Sequence, residues 1–130
     1  MQIHQIAEWF RKAVPHPTQK NFTTQLGVHI EEVAEMFEQL KGDTALDEAA
    51  LNEFVQCMKK FSVDLKAGAV DVMLPEKNRI EFLDGICDQV VTGVGLAVYQ
   101  NLDVESGLQE VADSNDSKFG VDGNPIFDEN

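Results

Sequence analysis

The chain has 130 residues, with 10 basic against 23 acidic side chains and a net charge of −13. This balance argues against nucleic acid or an anionic membrane as the main partner, because both are bound through clustered positive charge. The apolar share of 43% is enough for a hydrophobic core, and the length is that of one domain. We expect a single helical domain over residues 1–113 and a C-terminal tail or arm over residues 114–130.

The amino terminus, MQIHQIAEWF, has no cationic start followed by a long apolar run, so no signal peptide is expected. No apolar run reaches the ~18 residues of a membrane span. Cys57 and Cys87 belong to no CxxC pair and are predicted to be buried free thiols, which suits a reducing compartment. Together these features predict a cytoplasmic protein.

Apolar residues at helical spacing predict a first helix from Ile3 to Val14, which the prolines that follow bring to an end. A linker then leads to a second helix from about Thr23 to Lys41. Its expected N-cap is Thr23 or Thr24, and Gly42 is the expected stop.

A third helix is predicted from about Leu46 to Lys66, with Asp43 or Thr44 as its N-cap. Its apolar residues are expected to point inward; they include Leu51, Phe54, Val55, Met58, Phe61 and Leu65. The loop that follows, AGAVDVMLPEKN, is apolar enough to pack against the rest of the protein.

The fourth predicted helix, about Glu76 to Asn101, is the most apolar, and a helix of this kind is either central or buried by a second subunit. We expect it to be buried against a copy of itself, giving a homodimer or homotetramer. Glu81, Asp84 and Asp88 interrupt it and fall within about 60° of one another around the helix. Buried carboxylates need a partner, and a metal ion is the simplest one. A fifth helix is predicted from Val104 to Asp113.

Carboxylates are also concentrated in the second helix, at Glu31, Glu32, Glu35 and Glu38. If the second and fourth helices pack side by side, the carboxylates of both could converge on one pocket. Ligands that are all oxygen atoms suit Mg²⁺ or Mn²⁺, and such an ion suits a polyphosphate substrate. This would let an acidic protein hold an anionic substrate, because the cations lie between the two.

The acidic spacing is EExxE at Glu31, Glu32 and Glu35, then ExxD at Glu81 to Asp84 with Asp88 one turn further on. It resembles the MazG-like all-α nucleoside triphosphate pyrophosphohydrolases, a superfamily that also includes dimeric dUTPases and phosphoribosyl-ATP pyrophosphohydrolases. The ending, NDSKF followed by DGNPI and DEN, is similar to that of the phosphoribosyl-ATP pyrophosphohydrolase-like branch. The resemblance covers about residues 22–130.

The resemblance implies an all-α bundle, here of about five helices, that uses Mg²⁺ to hydrolyse an NTP or dNTP. Water attacks the α-phosphorus, and the products are the monophosphate and pyrophosphate. The implied metal ligands are Glu31 or Glu32, Glu35, Asp84 and Asp88. The implied catalytic residues are Glu32 and Glu81, the latter as a further ligand or as the group that orients the water. Lys118, with Asn115, would reach the substrate phosphates.

Other metal chemistries fit the sequence less well. A di-iron carboxylate bundle needs Glu-x-x-His, and His29 stands before Glu32 in the reverse order. A calcium-binding EF-hand loop beginning at Asp113 fails because Lys118 replaces the required glycine, and the cysteines lack zinc spacing. The alternative that stays open is a non-catalytic acidic helical interaction protein whose charged faces are solvated.

Overall fold

A computed structural model describes residues 2–118, and this part of the chain contains five α-helices and no strand. The predicted all-α class is therefore confirmed. The helices are α1 (Gln2–Ala13), α2 (Gln19–Phe37), α3 (Ala45–Ala67), α4 (Arg79–Tyr99) and α5 (Val104–Asp116), and a 3₁₀ turn over Glu76–Asn78 leads into α4. The DGNPI and DEN parts of the tail motif lie outside the described residues.

The chain divides into two compact units. The hairpin unit, Pro17–Leu74, consists of α2 and α3 packed against each other. The terminal unit combines Met1–His16 with Pro75–Asn130, and its described helices are α1, α4 and α5.

Helix α2 begins earlier than the sequence suggested, so the N-cap expected at Thr23 or Thr24 is wrong. Thr18 is the N-cap, because its hydroxyl accepts a hydrogen bond from the Asn21 backbone N–H while the Asn21 side chain accepts one from the Thr18 N–H. This reciprocal arrangement satisfies two of the unpaired N–H groups at the helix start. Thr23 is instead buried, with its hydroxyl 3.1 Å from a carboxylate oxygen of Asp71 in the loop after α3.

The predicted helix stop at Gly42 is also wrong, because α2 ends at Phe37. The Gly42 N–H donates to the Glu48 carboxylate in the first turn of α3, and a Cβ at Gly42 would collide with the Glu48 backbone. Gly42 is thus needed for close approach in the α2–α3 connection. Thr44 caps α3 as predicted.

The two helices of the hairpin unit approach closely at Gly27 and Ser62. Both residues are buried, and the Ser62 hydroxyl donates to the Gly27 carbonyl at 2.6 Å. The apolar residues buried in this unit are Ala34, Val55 and Leu65. Phe54 and Phe61 were predicted to point inward, yet they are 51% and 42% exposed. A hairpin of two helices has no third element in its own unit that could cover them.

In the terminal unit, α1 packs against α5 through polar side chains. The Gln5 amide donates to the carboxylates of Asp113 and Asp116, at 3.0 and 2.7 Å. The Trp9 indole N–H donates to the Asn115 carbonyl at 2.7 Å. These contacts explain why α5 continues to Asp116, beyond the predicted end at Asp113.

Helix α4 departs most from expectation. It was predicted to be the most buried helix, but no residue of α4 is buried in the single chain. Glu81, Asp84 and Asp88 are all exposed, so the cost of burying carboxylates does not by itself call for a metal here. The helix ends at Tyr99, two residues before Asn101, whose φ of 58° is one that asparagine tolerates better than most residues.

Two further expectations concern exposure. Cys57 and Cys87 are free, as predicted, but both are exposed, so their predicted burial is wrong. By length and composition, the segment Glu76–Tyr99 is apolar enough to cross a membrane, which core helices of soluble proteins also achieve.

Candidate metal site

Two carboxylates, Glu31 in α2 and Glu38 directly after its last residue, form ion pairs with α3. The Lys66 ammonium pairs with the Glu31 carboxylate, and the Lys59 ammonium lies 2.9 Å from a carboxylate oxygen of Glu38. The two glutamates and the two lysines have the same seven-residue spacing, so the pairs lie two turns apart along the antiparallel helices. These side chains are partly exposed, and such pairs each contribute about 0–1 kcal/mol to stability.

Glu32 and Glu35 differ from their neighbours in α2. Both are exposed, and their side chains have no ion pair or hydrogen bond within residues 2–118. They are three residues apart on the helix and therefore neighbours on its surface. Of the α2 carboxylates, these two are the ones that could bind a cation without first leaving a lysine.

The α4 carboxylates have a similar character. Glu81, Asp84 and Asp88 follow one another at spacings of three and four residues, which places them along one side of the helix. All three are exposed, and their carboxylates have no basic partner in the described part of the chain. A run of like charges along one side of a helix repels itself and attracts cations.

The two residues expected to bind substrate phosphates lie together at the end of α5. The Lys118 ammonium is 3.4 Å from the Asn115 side-chain oxygen, and the Lys118 backbone N–H donates to the Asn115 carbonyl at 3.1 Å. The same carbonyl accepts the hydrogen bond from Trp9. The indole therefore helps to hold this end of α5, a contact that the sequence argument did not anticipate.

The expected site residues are distributed over both units. Glu31, Glu32 and Glu35 belong to the hairpin unit, whereas the α4 carboxylates, Asn115 and Lys118 belong to the terminal unit. Within residues 2–118, no three His, Cys, Asp or Glu side chains form a group that could hold a metal ion. The convergence of the two acidic helices on one pocket stays a prediction.

Lys59 and Lys66 are the residues of this region that sequence reasoning missed. A signal for them is visible in the sequence, because their spacing on α3 equals that of Glu31 in α2 and Glu38 at its C-cap. Two helices joined by a short connection lie antiparallel. Equal spacing of opposite charges on such helices predicts pairing between them.

No family model, no curated protein and no solved structure matches this chain. The likeness to the MazG-like pyrophosphohydrolases thus depends on the acidic spacing and the tail motif alone.

Proposed function

We propose that the protein is a Mg²⁺-dependent nucleoside triphosphate pyrophosphohydrolase that acts as a homo-oligomer and converts an NTP or dNTP to the monophosphate and pyrophosphate. The observation that carries the proposal is the set of exposed carboxylates on α2 and α4 that have no basic partner within residues 2–118. Their ligand atoms are all carboxylate oxygens, the donors that Mg²⁺ and Mn²⁺ prefer. The acidic spacing and the NDSKF segment support the same function through the family resemblance.

In this proposal Glu32, Glu35, Asp84 and Asp88 hold the metal, and Glu31 joins them if it leaves Lys66. When bound, Mg²⁺ supplies charge neutralisation for the phosphate oxygens and a more acidic water. Glu81 orients the water, whose oxygen forms a bond to the α-phosphorus while the bond from that phosphorus to the β-bridging oxygen breaks. Pyrophosphate leaves with the electron pair of that bond, and the proton of the water passes to a carboxylate.

Lys118 and Asn115 have the positioning role in this scheme. An ammonium and an amide group next to each other can bind phosphate oxygens through charge-assisted and neutral hydrogen bonds. In a protein of net charge −13, a lysine aimed at the substrate offsets part of the repulsion that a polyphosphate meets.

The test is to incubate the protein with each NTP and dNTP in Mg²⁺ and measure pyrophosphate. We expect release with at least one nucleotide, and loss of release in Glu35→Gln and Asp88→Asn with helical content unchanged. No release with any nucleotide, dUTP and modified bases included, would overturn the proposal. Retained activity in both variants would show that the carboxylates have been assigned wrongly.

A non-catalytic acidic interaction protein is the second candidate, and the exposure of all the α4 carboxylates favours it. Thermal unfolding in Mg²⁺ separates the two. Carboxylates that bind the ion together stabilise the fold by about 2.7 kcal/mol at an ion concentration of one hundred times Kd. Solvated acidic faces would respond equally to Mg²⁺ and to NaCl of the same ionic strength.

A further inference from the structure

The single chain buries few of its apolar side chains. Within residues 2–118, only Ala34, Val55, Leu65 and Ala112 are buried hydrophobic residues. Apolar burial is the dominant favourable term in folding, and about 25 cal/mol is gained for each Å² removed from water. So small a core leaves the chain short of stabilisation unless a partner covers further apolar surface.

An uncovered apolar surface follows one side of α4. We call it the α4 apolar face and define it by Leu83, Ile86, Val90, Val91, Val94 and Val98, which are between 41% and 69% exposed. At ~100° per residue they lie within about 140° of one another around the helix. In the terminal unit, α4 contacts only α5 and the preceding 3₁₀ turn among the described elements.

The α4 carboxylates lie on the side of the helix that adjoins the apolar face. At ~100° per residue, the middle of the group Glu81, Asp84 and Asp88 is about 120° from the middle of the apolar face, although Asp84 is only about 20° from Val91 at the edge of the face. A partner that packs along the middle of the apolar face therefore leaves these carboxylates open to water and ions. Burial of the face does not require burial of the charges, which would be costly without a partner.

The area of the face fits a paired helix. The six side chains expose on the order of 500 Å² per chain, so two such faces would bury roughly 1,000 Å², the lower bound for a specific interface. Leu83, Val90 and Ala97 recur at seven-residue intervals, the repeat that keeps a seam of one helix against another. A seam of this kind is complementary to itself, which is what a twofold interface between identical chains requires.

A lipid bilayer fits this face less well. Three carboxylates and no basic residue lie between Ile80 and Tyr99, and each charge near the middle of a membrane helix costs about 2.5–3.5 kcal/mol on insertion scales. Against a second copy of the helix the same carboxylates stay in water. The chemistry of α4 thus favours a protein partner with a matching apolar seam.

We propose that the α4 apolar face is the self-association surface of this protein, covered by α4 of a second copy with the carboxylates facing outward. The inference specifies the interface of the homo-oligomer named above and does not depend on hydrolysis. Because each chain carries a charge of −13, association should tighten as salt screens the repulsion between the two copies.

Sedimentation velocity over roughly 1–100 µM, without metal or nucleotide, measures the association. We expect a dimer or larger species for the wild type, whereas Val90→Glu should be mainly monomeric. The dissociation constant of the self-associated species should be at least about tenfold lower for Thr92→Glu than for Val90→Glu. Both variants add one negative charge to α4, but Thr92 lies beside the carboxylates, away from the apolar face, whereas Val90 lies in that face. A monomeric wild type, or equal behaviour of the two variants, would overturn the proposal.

A second measurement covers the case in which Val90→Glu fails to fold. Cys87 lies between Val94 and Val98 around α4, so its thiol should react slowly with a thiol reagent when the protein is concentrated and quickly when it is dilute. Cys57, an exposed thiol on α3, is the internal control, and single Cys→Ser variants identify each rate. Cys87 reactivity independent of concentration would contradict the proposal, as would flotation of the wild type with phosphatidylcholine vesicles.

Discussion

Lys66 on α3 forms an ion pair with Glu31 on α2. The pair gives the first glutamate of the EExxE motif a structural role between the helices, whereas Glu32 and Glu35 have no such partner in the described part of the chain. A metal ion would have to compete with Lys66 for Glu31 but not for the other two. The three glutamates of the motif are therefore of two kinds: Glu31 is paired with a lysine, and Glu32 and Glu35 are not.

The first prediction follows from this difference. Glu31→Gln should keep pyrophosphate release within about threefold of wild type, while Glu35→Gln should lose at least about a hundredfold, because a ligand to the metal acts in the transition state. Both changes are isosteric and remove one charge, so each is a control for the other. Measured kcat/KM decides the matter, and equal losses in the two variants would contradict the assignment.

The second prediction concerns the close approach of α2 and α3. Gly27→Ala should destabilise the protein by about 1–3 kcal/mol, because overpacking forces the helices to shift. A Cβ there would lie 2.6 Å from Lys66 Cγ and 2.9 Å from the Ser62 carbonyl oxygen. Urea unfolding followed by circular dichroism measures the loss.

Gly85→Ala is the matched control for that change, since a Cβ at Gly85 meets nothing within 4 Å. Alanine is favoured over glycine in a helix interior by about 0.5–1 kcal/mol, so this variant should be slightly more stable than wild type. Gly27→Ala as stable as Gly85→Ala would show that the hairpin packs differently in solution.

Gly27 also shows which features of the fold could be predicted from the sequence and which could not. Helical spacing of apolar residues predicted all five helices, because that pattern is local. Helix ends were less predictable: Thr18 caps α2 with Asn21, where a glutamate or glutamine is the usual partner, and α5 is extended by contacts with α1. The need for glycine at position 27 could not be predicted, because it arises from the close approach of α3 and not from the residues around Gly27 in the sequence.

The candidate site likewise has features that depend on one helix and could be predicted, and features that depend on other helices and could not. The spacing of Glu81, Asp84 and Asp88 on one side of α4 could be read directly, since it depends only on the helix period. Their burial could not, because exposure depends on what packs against α4, and in the single chain nothing buries it. The pairing of Glu31 with Lys66, 35 residues away in sequence, could be predicted only by comparing the charge spacing of two helices.

The third prediction concerns pH and the α1–α5 contact. Hydrogen bonds from the amides of Gln5 and then Gln109 lower the pKa of Asp113 below its ordinary value of 3.8. A carboxyl whose pKa is lower in the folded state stabilises that state above the ordinary value, and the contribution disappears as the pH falls through the folded pKa. The contact between α1 and α5 should therefore weaken only in strong acid.

Gln5→Leu tests this prediction, because leucine is close to glutamine in size but donates no hydrogen bond. The Asp113 pKa, measured by NMR titration, should rise towards 3.8 in the variant. Gln2→Leu provides a comparison of the same type, because Gln2 lies on α1 but donates no hydrogen bond to Asp113 within residues 2–118. An unchanged Asp113 pKa in Gln5→Leu would show that the Gln5 hydrogen bond is not formed in solution.

The fourth prediction concerns Lys118, which lies beside Asn115 at the end of α5. Lys118→Met should raise KM for the nucleotide by about tenfold with little change in kcat, because a lysine that binds phosphate equally in the ground and transition states affects binding alone. Lys77→Met, which removes the same charge elsewhere in the terminal unit, should leave KM within about twofold of wild type. Equal rises in KM for the two variants would mean that only net charge matters. A loss confined to kcat would instead place the Lys118 ammonium at the reacting phosphate, where its charge acts mainly on the transition state.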